Sequence, residues 1–155
     1  MLHIRRLGTV LSLALVVHSI GSAQAVPAEL SELTTRARLS SPVASWCRGE
    51  FRSGNSGSYA VAVSSAGGGR YVVVEADATV IELGSYTDSA DLSCYTPAEA
   101  RKLHRAIEQS DTIHGEIVPQ WGTTVVCAFV DATTSVCWQF SPTDRGFVRV
   151  GGWVT

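Results

Sequence analysis

Two cysteines placed on either side of a turn constrain this chain more than any other feature. Cys127 lies in a β-branched run, Thr123–Val130, and Cys137 in a second, Ser135–Phe140, with Asp131-Ala132-Thr133-Thr134 between them. Setting Cys127 opposite Cys137 centres a hairpin on Ala132, faces Val130 with Thr134 and leaves a three-residue loop. In that register alternation puts Val126, Ala128 and Val130 on one side together with Val136, Trp138 and Phe140, which becomes the expected core face. The other two cysteines, Cys47 and Cys94, are then left to pair with each other. No two of the four have the C-x-x-C spacing with which one turn presents two metal ligands, so no metal site is expected. By loop entropy the short ring closed by Cys127 and Cys137 is worth about 3 kcal/mol, and the long ring closed by Cys47 and Cys94 about 4 kcal/mol.

Bridges persist in oxidising compartments, and the start of the chain supplies a route to one. Arg5 and Arg6 precede an apolar stretch, Leu7 to Ile20, which ends in Gly21-Ser22-Ala23-Gln24-Ala25. Charged, apolar and small-residue segments in that order read as a signal peptide, residues 1–25, cut after Ala25. The apolar stretch is shorter than the roughly 20 residues that a spanning helix needs, so no membrane span is expected after cleavage. Residues 26–155 then form a single small disulfide-bonded α+β domain, exported to a periplasm or the extracellular space.

Charge narrows the partners. The mature part carries 10 basic residues, with Lys102 its only lysine, against 14 acidic ones, a formal net charge of −4. The basic residues are scattered, and a surface that tracks phosphates needs them clustered, so nucleic acid is not an expected partner.

Along the mature chain, Leu30, Leu33 and Ala37 suggest a short N-terminal helix between Pro27 and Leu39, closed by Ser40-Ser41-Pro42. Strands are expected near Ser45–Arg52, Tyr59–Ser64, Tyr71–Glu75 and Thr79–Leu83, joined by links too short for parallel crossovers. Thr96-Pro97-Ala98-Glu99 is a capping box with proline at the first helical position. From it runs a helix to about Ser110, with Ala100, Leu103, His104 and Ile107 on its inner stripe. Beyond it come a stretch near Ile113–Val118 that is a candidate for a further short strand, and then three strands, the two of the cysteine hairpin and a last one at Phe147–Val154. The fold class is therefore α+β: an antiparallel, mostly-β arrangement of about seven short strands, four and then three, with the capped helix between them and two disulfides.

Chemistry is harder to find. No G-x-S-x-G elbow or H-E-x-x-H motif is present, and bridged cysteines cannot act as nucleophiles. Gly67-Gly68-Gly69 lacks the Lys-Ser/Thr ending of a phosphate loop and joins two strands. His104 and His114 are the remaining histidines, with Asp88 and Asp91 as acidic candidates, and the latter pair lacks calcium-loop spacing. His104 on the inner stripe reads as a hydrogen-bonded structural side chain, and His114 as an exposed linker residue. Trp46 and Trp121, near strand ends, suit a pocket rim or plugs for the core.

The second face of the C-terminal sheet is the more informative place. Simple alternation puts Val125, Phe129, Phe147, Arg149 and Trp153 there, an aromatic and arginine mixture typical of binding hot spots. Either this patch faces solvent as an interaction surface, or a helix covers it as a second core layer. The expected binding surface is thus Phe129, Phe147, Arg149 and Trp153. No cofactor is expected. The functional expectation is a secreted or periplasmic non-catalytic binder of a protein or cell-wall component, such as an inhibitor or envelope accessory. The alternative is a small envelope hydrolase using His104 or His114 with an acidic residue.

Overall fold

The structure, a computed structural model, describes residues 24–88 and 90–155. Apart from Gln24 and Ala25, the expected signal peptide lies outside these residues.

The chain runs α1 (Ala28–Arg36), β1 (Val43–Gly49), β2 (Ser58–Ser65), β3 (Gly68–Val74), β4 (Val80–Tyr86) and β5 (Leu92–Tyr95). Then follow α2 (Pro97–Glu108), β6 (His114–Ile117), β7 (Val125–Phe129), β8 (Ser135–Ser141) and β9 (Gly146–Val154). A four-stranded sheet has the order β1-β2-β3-β4 and a five-stranded one the order β5-β7-β8-β9-β6, with every pairing antiparallel. The fold is α+β and mostly β, as expected. The second sheet is larger than the reading of four and then three, because β5 joins it before α2 begins and β6 closes its far edge.

Alternation along β2 explains the layering. Tyr59, Val61 and Val63 point one way and pack with Val72 and Val74 against Leu30 and Leu33 of α1. Ala60 and Ala62 point the other way, where small side chains allow the second sheet to approach. Phe51, Val73, Tyr71, Val126, Ala128 and Trp138 fill that inter-sheet space. On the outer face of the five-stranded sheet, Val125, Cys127, Cys137 and Val150 pack against Ala100 and Ile107 of α2. The layers are therefore α1, sheet, sheet, α2, and a strand buried on both faces needs apolar residues at successive positions. That is why β2 reads Tyr-Ala-Val-Ala-Val and β7 Val-Val-Cys-Ala.

The caps and bridges follow the sequence. Thr96 Oγ1 accepts from Glu99 N–H (3.3 Å), and Glu99 Oε2 accepts from Thr96 N–H (2.8 Å), so both halves of the box form. Cys127 pairs directly with Cys137 at a Cα separation of 4.1 Å, close to that of a non-hydrogen-bonded antiparallel pair. Asp131 Oδ1 accepts from Thr133 N–H (2.9 Å) and Thr134 N–H (2.7 Å), which folds the loop tightly enough for that register. Cys47 bonds Cys94 and so joins edge strand β1 of one sheet to edge strand β5 of the other. Two disulfides are what an oxidising compartment permits.

Polar groups also fasten the layers. The buried Tyr71 hydroxyl donates across the sheet interface to the carbonyl of Phe129, and burial raises its pKa above the usual phenol range. Gln139, fully buried in β8, accepts from Gln120 and Trp121 N–H and donates to the carbonyls of Trp121 and Thr123. One side chain thereby holds the loop between β6 and β7 and leaves its own amide satisfied.

Candidate functional site

The expected patch of Phe129, Phe147, Arg149 and Trp153 is not one surface. Phe140 pairs with Phe147 and Trp138 with Arg149, so both β9 residues lie on the inter-sheet side. Two residues later Cys137 pairs with Gly151, and Val150 is left as an extra residue, a β-bulge. The bulge reverses the alternation, and Trp153 falls on the α2 side with Phe129, ring centroids 5.9 Å apart and edge-to-face. Phe147 is core, packed against Phe51 and Phe140. Of the four, Arg149 alone is exposed. The helix covering weighed against a bare patch is what α2 provides for the outer face.

Arg149 instead belongs to a groove formed because the two sheets differ in width. Leu83 and Gly84 of β4 lie over Trp138, and the four-stranded sheet ends there. The inter-sheet face of β9 and β6 continues past that cover. By alternation it presents Arg149, Gly152 and Val154 of β9, His114 and Glu116 of β6, and Val118 just beyond. These residues, with Thr134 and Gln120, line a cavity of about 600 Å³. Val118 and Val154 are 50% and 49% exposed, large apolar side chains left in water on the groove walls.

The floor is nearly bare. A Cβ at Gly152 would stand 2.2 Å from the Ser135 carbonyl oxygen, and one at Gly151 would stand 2.0 Å from that of Glu116. Their φ angles, +158° and +146°, come with strands approaching too closely for any side chain. The Gly151-Gly152 pair inside an otherwise β-prone run is the sequence signal that could have located both the bulge and the groove.

The structure separates the two histidines. His114 lines the groove beside Glu116, two residues on along the same strand face. His104 sits on α2, where its Nδ1 accepts from Ile117 N–H (3.3 Å) and its Nε2 lies 3.5 Å from Glu108 Oε1. Both ring nitrogens thus have structural partners. Asp88 and Asp91 lie in the link between β4 and β5, and Asp88 accepts from the hydroxyl of Thr87. Trp46 meets Tyr59 edge-to-face beneath α1, and Trp121 packs under α2, so both serve the core.

Among the described residues no cluster of three His, Cys, Asp or Glu side chains forms a metal site, no cysteine is free, and no helix is long and apolar enough to cross a membrane. Compared with protein-family models, with curated proteins and with solved structures, the chain matches none.

Proposed function

We propose that this chain is an exported, non-catalytic binding protein that grips a polypeptide partner in the groove on the β9–β6 end of the five-stranded sheet. The observation that carries this reading is the uncovered inter-sheet face, where half-exposed Val118 and Val154 flank Arg149, His114 and Glu116. Apolar walls with a few charges of both signs suit a protein segment. A glycan would want an exposed aromatic platform, and the one aromatic lining residue, Trp153, has its ring against Phe129. A nucleic acid would want more than one arginine.

The test is capture of envelope proteins by the tagged mature chain, followed by titration of the purified partner. Arg149→Ala with Val154→Thr should weaken binding at least about tenfold without moving the melting temperature. Unchanged affinity in that double variant would remove the groove from consideration. Trp153 is unsuited to the test, because its ring is packed and its loss would disturb the sheet.

A hydrolase is the second reading, favoured by His114 and Glu116 standing together in the same cleft. Under it, His114→Ala abolishes a measurable hydrolytic activity of the folded protein, and a wild-type chain inert towards ester, amide and glycoside substrates would end it.

A further inference from the structure

We infer that His104 is a proton-sensitive latch holding the edge strand β6 to helix α2. A backbone N–H can only donate, so the ring nitrogen facing Ile117 N–H must carry a lone pair. With Nδ1 so engaged, the ring proton belongs on Nε2, which lies 3.5 Å from Glu108 Oε1.

The latch has a clear place in the fold. Among the described residues β6 is the outer strand of its sheet and pairs with β9 alone. Val118 N–H donates inward to the Val150 carbonyl (2.9 Å), whereas Ile117 N–H points away from β9 and would be an open edge donor. His104 closes that donor from the adjoining helix. A solvent proton taken up on Nδ1 removes the lone pair that Ile117 N–H donates to, and a protonated nitrogen cannot accept. The bond to Ile117 is then lost and two donors face each other.

The surrounding groups oppose one another. From α2 the ring meets the Glu108 carboxylate, an acceptor. From β6 it meets the Ile117 amide, a donor, while His114 and Glu116 are turned by alternation to the opposite face of the strand. β5 contributes Tyr95 to the packing under α2, and β7, β8 and β9 contribute the uncharged Val125, Cys127, Cys137 and Val150. Protonation therefore removes the strand contact and keeps the one within the helix, so the outer edge of β6 loosens at the Ile117 amide while its pairing with β9 stays in place.

His114 and Glu116, one wall of the groove, ride on β6. If the proposed binding reading holds, the latch also sets how firmly that wall is held, but the latch itself does not depend on what the groove binds.

Amide hydrogen exchange on the intact, bridged protein tests it, expressed as protection relative to the intrinsic rate at each pH. Between about pH 7.5 and 5, protection at Ile117 should fall by about an order of magnitude, with a midpoint matching the His104 imidazole titration followed by NMR. Val118, bonded to Val150, should change less. His104→Asn keeps an acceptor near the Nδ1 position and cannot titrate, so its Ile117 protection should stay flat over the same range. Flat protection in the wild type while His104 titrates, or an equal fall in His104→Asn, would overturn the latch.

Discussion

The two ends of the five-stranded sheet are built to opposite specifications. At the β5–β7–β8 end both faces are sealed, one by the four-stranded sheet and the other by α2, and Val125 and Val126 are fully buried on opposite sides of the same strand. At the β9–β6 end only the α2 side is sealed, and exposed Arg149, Val154, Glu116 and His114 face a groove. The sealed end is held by side-chain packing and a covalent link between sheets. The groove end has glycines where further side chains would pack, and is held by backbone pairing, by Ile117 and Val150 packed under α2, and by one imidazole. A site built at the second end can vary its wall residues with little effect on the first.

Removing the covalent link should break the sealed end most severely. Cys47→Ala with Cys94→Ala frees β1 from β5 and should cost about 4 kcal/mol in chemical denaturation, with both sheets unfolding together. A loss under about 1 kcal/mol would mean that packing of Phe51, Val73 and Val126 already fixes the two sheets without the bridge.

The groove end should break next, and more locally. Gly151→Ala adds a Cβ 2.0 Å from the Glu116 carbonyl oxygen, where only backbone movement gives relief. The expected loss is about 2–3 kcal/mol, with hydrogen exchange rising in β6 and the end of β9 but not in β2 or β7. Uniform loosening of all strands would show that the ends are not independent.

Much of the sealed end was legible from the residues. Cys127 and Cys137 fixed a register because alternation has a period of two and both sides of the hairpin demanded the same answer. Thr96-Pro97-Ala98-Glu99 fixed a helix start because every requirement of the cap is local. The groove end was not legible by the same rule. Alternation carried from Phe147 to Trp153 crosses the bulge at Val150, and one extra residue exchanges the faces of everything beyond it. β5 was missed because four residues between Asp91 and the Thr96 cap carry too few alternations to announce a strand. The groove depends on how far one sheet overhangs the other, which no local pattern encodes. Only Gly151-Gly152 marked its position.

A smaller effect follows at the groove wall itself. Arg149 is exposed, and its Nε lies 3.4 Å from the Gly151 carbonyl in the same strand, so Arg149→Ala should change stability by less than about 0.5 kcal/mol. Its binding defect under the proposed function is then separable from folding. A large stability loss would show that this side chain supports the bulge and would disqualify the variant as a binding probe.

The sealed interior and the hairpin loop that borders the groove should also differ in the sign of their response to pH. Glu75, almost buried at the sealed end, lies 2.6 Å from Arg52, whose guanidinium stacks over Phe140. Desolvation raises the Glu75 pKa above its ordinary value of 4.5, and the Arg52 charge only partly offsets this. The folded state therefore holds that proton more tightly than the unfolded chain. The associated stability is fully present below pH 4.5 and is lost as pH rises through the elevated folded pKa. Asp131, in the hairpin loop whose Thr134 borders the groove, has its pKa lowered below 3.8 by hydrogen bonds from the Thr133 and Thr134 backbone. Its contribution is present above pH 3.8 and is lost as pH falls through the depressed folded value. Glu75→Gln should thus flatten the decline above pH 4.5 and leave the acid limb, whereas Asp131→Asn should flatten the acid limb and leave the decline. Denaturation midpoints of the three proteins across about pH 2.5 to 7 decide the matter. If both variants alter the same limb, the buried Glu75 and the loop carboxylate Asp131 titrate as one unit, and the opposite signs argued from their surroundings fail.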